Sequence, residues 1–517
     1  MVISYCASQQ TSSRCGAAMA GDDITVHVEW LARRLTQQQE DAAATEHHRI
    51  MVNTLRVSRV PEHVRDHNAD AYTPGLVAVG PLHTANRRLR AGTRLKMSYL
   101  NSLISRGHPD PASHLAVIQN YVRLVAVRER EARAMYAAED ADMSAEDLIQ
   151  MLVLDGCFVI EHLVNVATGV EEPSLHATPF GPVQLSVDLV LAENQIPFFV
   201  LVDLIKSTRL PEFDTTGYQP TELLMKLVLY YLGGEKGRDM SVGLPAADDV
   251  CHILHLLHAM VTTARTGWEP PPRLQDAAPV EMMREAARLL RRLPLLLLVP
   301  LLYPILPEES RWRGSYGRED LPSASDLKRM WVRFQKARGG STSKAPAGIA
   351  SVLGAVPLAV KLAHEDRLRL PQLRIEFRTA PLLLNLMAFE QSADQRGGDV
   401  SAYVWLMAKL VQSPEDAGVL VAAEVVAAAS SGSESKEDVA RFFRRVGAAS
   451  EAAAELEKSY LGETVQKLRE RSQHPLFMMW ADVQRNYFTV PWAVVAEFVA
   501  FITFISTILQ TYGSFKH

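Results

Sequence analysis

The chain has 517 residues, of which 48% are hydrophobic and 22% are charged, a balance typical of a globular protein that buries a core. This balance excludes a wholly disordered chain, a collagen and a protein that crosses a membrane many times. The net charge of −5, from 54 basic and 59 acidic side chains, argues against a general nucleic-acid-binding protein, and the 4 scattered cysteines argue against a disulfide framework or a zinc cage.

The first residues, 1–22, are predicted to be a disordered leader. They contain no apolar stretch of signal-peptide length, and Val2 after the first methionine excludes N-myristoylation. Residues 23–486 are predicted to form one helical body. A transmembrane helix at 487–512 and a short tail at 513–517 are predicted to follow it.

Apolar residues recur at spacings of three and four along most of the body, which predicts a mainly α fold. Residues 145–167 are apolar on nearly all sides, and this pattern is typical of a central buried helix. The other predicted helices are at residues 24–40, 111–137, 184–193, 197–207, 220–232, 248–263, 324–336, 379–393, 400–412, 415–428, 435–447 and 452–485.

One region departs from the helical pattern. In residues 355–377 apolar side chains alternate with polar ones, and this period of two predicts a short β-hairpin or ribbon. Two stretches rich in proline, glycine or serine, 264–323 and 338–350, are predicted to be variable surface insertions. The first contains an apolar run broken by prolines at 293–307, which is either a loop packed on the body or a hydrophobic contact site.

The sequence contains no phosphate-binding loop, dinucleotide-binding turn, nucleophile elbow or paired-cysteine motif, so no catalytic residue, metal, cofactor or small-molecule substrate is predicted. The segment HILHLLH places His252, His255 and His258 at spacings of three. The outer two would lie about 120° apart around a helix, which makes coordination of one metal ion by all three awkward. We favour the alternative, which is that these are partly exposed histidines beside a leucine stripe.

Three carboxylates, those of Asp155, Glu161 and Glu193, lie among apolar residues. Two buried carboxylates could form an acid/base pair, which would make the protein a cryptic enzyme. The alternative, which we favour, is that these residues and the neighbouring Asn194 and Gln195 satisfy free backbone groups where helices end.

Two further residues have predicted backbone roles. Gly156, in the central helix, would let a neighbouring helix approach closely because it has no Cβ atom. Pro197 would occupy the first position of the next helix, where its missing N–H leaves no hydrogen bond unmade. Both predictions concern packing rather than chemistry.

The 18 residues from Trp492 to Leu509 contain one charged residue, Glu497. About 20 apolar residues are needed to cross a bilayer, and aromatic residues mark both borders of this run, as they do at membrane interfaces. The run therefore predicts a single-pass anchor in contact with lipid, and Arg471 and Arg485 before it favour a cytosolic body. The alternative is a buried core helix of a soluble helical scaffold.

Eight blocks of sequence, taken together and in order, carry a family resemblance. They are VSRVPEHVRDHNADAYTPGLVAVGPLH (57–83), MLVLDGCF (151–158), DLVLAENQIPFFVL (188–201), HILHLLH (252–258), SASDLKRMWVRFQKA (323–337), LPQLRIEFRTAPLLLNLMAFEQS (370–392), SAYVWLMAKLVQSPEDAGVL (401–420) and YFTVPWAVV (487–495). From about residue 57 to its end, the chain resembles the plant domain-of-unknown-function 247 family. The motif residues to which the resemblance gives a structural role are Pro61, His63, Tyr72, Gly80, Pro81, His83, Asp155, Gly156, Glu193, Asn194, Gln195, Pro197 and Glu390.

The resemblance implies a mainly helical body, a C-terminal single-pass helix and no established enzymatic activity. Some grass members of this family are associated with self-incompatibility loci, as candidate pollen-side determinants. We therefore expect a non-enzymatic, membrane-anchored plant protein of recognition or signalling, with an unidentified protein partner and no nucleic-acid partner. A pollen-side self-incompatibility determinant of a grass is the specific role that the resemblance suggests.

Overall fold

The computed structural model describes residues 57, 59–66, 68–137, 142–213, 219–240, 243–262, 321–337, 349–353, 358–363, 366–392, 398–428, 433–450, 459–487 and 503–507. These residues all belong to one unit of the chain, Leu55–His517. The other unit, Met1–Thr54, lies outside the described residues, and so do the predicted leader and the helix at 24–40. The same holds for nearly all of both insertions, the run at 293–307, the tail at 513–517 and the anchor residues Trp492, Glu497 and Leu509.

Helices make up most of the described chain, which confirms the predicted mainly α class. Those of the first half are α1 (Glu62–Arg65), α2 (Arg90–Gly107), α3 (His114–Val127), α4 (Glu129–Ala134), α5 (Ala145–Thr168), α6 (Pro173–His176), α7 (Phe180–Asp188), α8 (Phe198–Lys206), α9 (Pro220–Arg238) and α10 (Ile253–Thr262). Those of the second half are α11 (Ala324–Arg329), α12 (Thr379–Ser392), α13 (Asp399–Leu410), α14 (Pro414–Ala422), α15 (Ser433–Ser450), α16 (Gly462–Gln473) and α17 (Pro475–Tyr487). The strands are β1 (Arg333–Lys336), β2 (Lys361–Ala363), β3 (Arg367–Leu370), β4 (Leu373–Ile375) and β5 (Val426–Ala428).

Helix α5 is the centre of the first half. It begins after Ser144, whose Oγ accepts a hydrogen bond of 3.0 Å from the amide of Asp147, and it ends at Gly169, which has a left-handed φ of 71°. Every residue from Asp155 to Asn165 is buried, because α2, α3, α8 and α9 pack around this helix. The predicted central buried helix at 145–167 is therefore confirmed.

Two small sheets lie in the second half. In one, β3 pairs with β2 in antiparallel register, Leu368 opposite Leu362, and with β1 in parallel register, Leu368 opposite Phe334. In the other, β4 pairs with β5 in parallel register. The ribbon predicted at 355–377 is thus present as β2, β3 and β4, and strands from elsewhere in the chain pair with it.

Strands β1 and β5 lie in segments that the periodicity assigned to helices, 324–336 and 415–428. Both of these predictions are wrong at their carboxyl ends. Trp331 and Glu424 have left-handed φ values of 63° and 57°, which an α-helix cannot contain. Helices α11 and α14 therefore end just before these residues, and the chain turns into the two strands.

Other helix bounds differ from prediction where a turn or a proline interrupts the pattern. The helix predicted at 184–193 ends at Asp188, and that at 111–137 is divided into α3 and α4. Within 452–485, α16 and α17 are separate because Pro475 has no N–H to continue the first of them. Helix α2 has no counterpart among the predicted helices.

The structure bears on the membrane prediction in two places. Within the described residues, α5 is the helix that is long and apolar enough to cross a bilayer, and 72% of its apolar window is buried inside the body. The predicted C-terminal anchor contributes residues 503–507, which are helical, with Phe504 62% exposed and Ile505 41% exposed. The described elements therefore give no support to a C-terminal transmembrane helix.

Candidate functional site

Residues 57–83, called here the amino-terminal segment, lie across α5 and the turn after α7. Three of the sequence blocks, 57–83, 151–158 and 188–201, are therefore in contact there. Four side chains bind the segment directly, and a fifth, that of Gln195, joins the turn to α10. We call them the polar network: Asp155, Asp188, Glu193, Asn194 and Gln195. All five are buried, with at most 2% of any of them exposed. Buried polar atoms require partners, and most of the partners in the network are backbone groups, of the segment, of the turn itself and of α10.

Asp188 is the last residue of α7 and binds three consecutive amides of the segment. Its Oδ1 accepts from the amide of Gly75 at 2.9 Å, and its Oδ2 accepts from the amides of Leu76 at 2.7 Å and Val77 at 2.8 Å. Burial raises the pKa of Asp188, although these hydrogen bonds and one from Gln184 oppose the rise. The carboxylate therefore holds a bend of the segment by three consecutive backbone amides.

Asp155 lies on α5 and binds the segment at its glycine turn. Its Oδ2 accepts from the amide of Gly80 at 2.8 Å, and its Oδ1 pairs with the ammonium group of Lys96. Gly80 has a left-handed φ of 79°, and a Cβ atom there would lie 2.5 Å from the carbonyl oxygen of Gln195. Burial raises the pKa of Asp155 despite the opposing effect of Lys96.

Glu193 binds the two ends of the segment. One oxygen accepts from the amide of Val60 at 2.7 Å, and the other pairs with Arg65 and lies 3.1 Å from Nε2 of His83. Burial alone would raise the pKa of Glu193, but the contacts with His83, Arg65 and the Val60 amide outweigh burial and hold the pKa below its ordinary value. This carboxylate is therefore stabilised in its charged form.

The side chains of Asn194 and Gln195 complete the network. Asn194 accepts from the amide of Val79 at 2.7 Å and donates to the carbonyl oxygen of Val77 at 3.0 Å. Gln195 donates to carbonyl oxygens of its own turn and accepts from the amide of Leu254 at 3.2 Å, near the start of α10. The network thus joins the segment to α10 as well as to α7.

Asn385, on α12, is a further member that the sequence did not single out. Its Oδ1 accepts from the amide of Ala192 at 2.7 Å, and its Nδ2 donates to the carbonyl oxygens of Ala71 at 2.7 Å and Pro381 at 2.8 Å. The available signal was an amide in the otherwise apolar run LLLNLMAF of the sequence. Asp188 was likewise missed, because the first residue of the DLVLAENQIPFFVL block resembles an ordinary helix end.

The remaining motif residues have packing roles. Pro61 precedes α1 and Pro81 begins a 3₁₀ turn, Pro81–His83. Tyr72 is 1% exposed, and burial followed by the charge of Glu193 raises its pKa to about 12. The side chain of His63 lies outside the described residues. Pro197 lies one position before the place predicted for it, because α8 begins at Phe198.

Glu161 points away from the network. It accepts two hydrogen bonds from Arg106 on α2, at 2.6 Å and 3.1 Å. Burial raises the pKa of Glu161, and Arg106 opposes the rise. Asp155 is six residues earlier on α5, which places the two carboxylates about 9 Å apart along the axis and on different sides of the helix. They do not form an acid/base pair.

Three histidines surround one aromatic ring; His252 lies just before α10 and the other two lie on it. The ring centroids of His252, His255 and His258 lie 5.1, 5.8 and 5.4 Å from that of Phe389 on α12. His258 also lies 2.9 Å from Glu390, which in turn accepts from the first amides of α13. Among the described residues, no group of three His, Cys, Asp or Glu side chains is arranged to hold a metal ion.

Two cavities lie near these elements. A groove of about 1150 Å³ runs along α9 and is lined by apolar side chains such as Met225, Leu229 and Met240, with none of the network residues in its walls. A cavity of about 120 Å³ lies beside the network, between Val60, His252 and Phe389. The carboxylates of the network already accept hydrogen bonds from backbone amides or pair with basic side chains. The network therefore holds the amino-terminal segment against α5 and the turn after α7.

Comparison with known proteins gives one family. Residues 57–506 match the DUF247 family model, described as a plant protein of unknown function. A UPF0481 protein of Arabidopsis thaliana is 23% identical over 477 residues, covering 88% of this chain and 85% of that protein. A second Arabidopsis thaliana protein of the UPF0481 group is 21% identical over 429 residues, covering 73% of this chain and 76% of its own. No solved structure matches.

Proposed function

We propose, from the premise that the chain belongs to the DUF247 family of plant proteins, that it is a non-enzymatic body anchored to a membrane by its C-terminal segment. In this proposal the rigid body presents its variable insertions, 264–323 and 338–350, to a protein partner. Surface loops on a rigid scaffold are the usual place for such recognition.

The observation that carries the non-enzymatic part is the use of the motif carboxylates. Asp155, Glu161 and Glu193 each bind a different basic side chain, and Asp155 and Glu193 also bind backbone amides of the amino-terminal segment. A general acid or base must exchange a proton with a substrate within hydrogen-bonding distance. These carboxylates are instead engaged in the fold, which supports a binding role over catalysis.

Support for the anchor comes from the composition of the C-terminal run. The run from Trp492 to Leu509 has one charge and is nearly as long as a bilayer requires. Aromatic residues mark its borders, Phe488 and Trp492 at one end and Tyr512 at the other, as they do at membrane interfaces.

Fractionation of plant cells that express the full-length chain tests the anchor. We expect the full-length protein in the membrane fraction after alkaline extraction and a variant lacking residues 488–517 in the supernatant. A second variant, Phe501→Arg with Ile505→Arg, keeps the length of the chain and should also leave the membrane, because central arginines are costly in a bilayer. If all three proteins fractionate alike, the segment is not an anchor, and a soluble helical scaffold replaces the proposal.

The specific role in recognition, as a pollen-side self-incompatibility determinant of a grass, rests on the family resemblance. It is tested by exchanging residues 264–323 and 338–350 between two alleles that differ in pollen specificity. The proposal expects the specificity to follow the exchanged insertions. Specificity that stays with the rest of the chain would contradict it.

A further inference from the structure

Four arginines at the start of α2 form an exposed basic surface, which we call the arginine face: Arg87, Arg88, Arg90 and Arg94. Arg87 and Arg88 lie in a 3₁₀ turn that continues into α2. Arg87, Arg90 and Arg94 are spaced by three and four residues, so they lie on one side of the helix and span about 10 Å along it.

The backbone beneath the arginine face is fixed. Asn86 accepts a hydrogen bond of 3.1 Å from the amide of Arg88, and Leu89 is buried under the turn. Gly92 packs directly on the amino-terminal segment, because a Cβ atom there would lie 2.5 Å from the carbonyl oxygen of Leu76. The arginines are therefore presented by a rigid turn rather than by a loop.

The charge of the arginine face is not neutralised within the described part of the chain. Its four arginines make no ion pair there, whereas Lys96 and Arg106 on the same helix pair with Asp155 and Glu161. The sequence contains no Asp or Glu between Asp70 and Asp110. Positive charges at the first turn also oppose the helix dipole, so this arrangement costs stability unless an anion binds.

We propose that the arginine face binds clustered phosphate groups. A guanidinium group donates paired N–H bonds to phosphate oxygens, and several such groups on a fixed turn match a polyphosphorylated ligand. Two sources present this chemistry, a phosphorylated lipid headgroup at a membrane surface and a soluble polyphosphate. Met97, which follows Arg94 by three residues and is 48% exposed, favours the lipid, since an apolar side chain beside basic ones suits a membrane interface.

Two arms of one experiment distinguish the sources. In the soluble arm, the full-length protein in neutral detergent is titrated with inositol hexakisphosphate. In the lipid arm, flotation with phosphatidylcholine vesicles is compared with flotation when phosphatidylinositol bisphosphate is added. The lipid arm rests on the proposed membrane anchoring, whereas the soluble arm does not. If the anchor proposal is wrong, the titration with inositol hexakisphosphate still tests phosphate binding.

The variant to test removes all four charges of the arginine face: Arg87→Gln, Arg88→Gln, Arg90→Gln and Arg94→Gln. A matched control removes four exposed arginines elsewhere: Arg123→Gln, Arg130→Gln, Arg209→Gln and Arg444→Gln. Since each basic residue near an anionic surface contributes roughly fivefold to binding, the first variant should lose on the order of 600-fold in affinity and the control about threefold or less.

Loss confined to the arginine-face variant in either arm supports phosphate binding, and the arm in which it occurs identifies the source. Equal losses in the two variants, or no binding of either probe by the wild type, would overturn the proposal. Poly-glutamate is included as a third probe. If it binds more tightly than inositol hexakisphosphate and depends on the same four arginines, the ligand is an acidic peptide and the phosphate proposal is wrong.

Discussion

Asn385 Nδ2 donates a hydrogen bond of 2.7 Å to the carbonyl oxygen of Ala71, which lies 314 residues earlier in the chain. The same side chain accepts from the amide of Ala192 at 2.7 Å. One amide group therefore fixes the relative positions of α12, the turn after α7 and the amino-terminal segment. Asn385 and Ala71 are both buried, so the hydrogen bond between them has no exchange with water as an alternative.

We expect Asn385→Ala to lower the free energy of unfolding by about 2 to 4 kcal/mol, because it leaves the buried carbonyl of Ala71 without this donor and the Ala192 amide without this acceptor. Urea denaturation followed by circular dichroism measures the change. Asn101→Ala, at an exposed position of α2, is the matched control and should change the stability by less than about 0.5 kcal/mol. Equal effects at the two positions would contradict the structural role of Asn385.

Gly80 and Gly169 both have a left-handed φ, but only Gly80 has close neighbours. Alanine substitutions at the two positions therefore distinguish the cost of backbone strain from the cost of steric overlap. Gly80→Ala should cost about 3 kcal/mol or more, since its new Cβ would lie 2.5 Å from the carbonyl oxygen of Gln195. Gly169→Ala should cost only about 1 kcal/mol, because nothing lies within 4 Å of its Cβ and the strain alone remains. Thermal denaturation of the two variants makes the comparison, and a larger effect at Gly169 would refute it.

Because α5 and α8 are in contact at Gly156 and Leu204, substitutions at these two residues should have non-additive effects on stability. A Cβ atom at Gly156 would lie 2.4 Å from Cδ1 of Leu204, so Gly156→Ala should destabilise the protein by about 1 to 3 kcal/mol. Leu204→Ala alone should cost about 2 to 5 kcal/mol through the cavity that it leaves. The double variant should be more stable than the sum of the two single effects implies. Strict additivity in a double-mutant cycle would show that the helices do not meet at this point.

The lowered pKa of Glu193 predicts a pH dependence of stability. Its ordinary value is 4.5, and the folded state holds it lower, so the folded protein favours the charged form. The resulting stabilisation is fully present above pH 4.5 and is lost as the pH falls through the folded-state pKa. The stability difference between the wild type and Glu193→Gln should therefore shrink below pH 4.5, as measured by urea midpoints. A difference that stays constant down to pH 3 would exclude this linkage.

The local parts of the fold were predictable from the sequence. The central helix was predicted at 145–167 because its apolar pattern is continuous, and it is observed at Ala145–Thr168, where Ser144 and Gly169 cap it. The alternation in 355–377 likewise predicted a ribbon. Each of these signals is contained in one short window.

What the sequence did not predict depends on partners far away in the chain. Strands β1 and β5 form because parallel neighbours are available, and Trp331 and Glu424 leave the helical conformation to reach them. The buried carboxylates were interpreted as partners of helix ends. Asp155 and Glu193 instead bind backbone of the amino-terminal segment, a relationship that spans 75 and 133 residues. Periodicity within a window cannot specify contacts over such distances.

The polar network also imposes an order on biosynthesis. The amino-terminal segment is translated first, but its acceptor Asp188 follows Gly75 by 113 residues and Asn385 follows Ala71 by 314. At ribosomal rates of roughly 5 to 20 residues per second, Asn385 is therefore synthesised roughly 15 to 60 s after Ala71, whose carbonyl oxygen it binds. Throughout that interval the amino-terminal segment lacks part of the surface that binds it, so the body can be completed only late in synthesis.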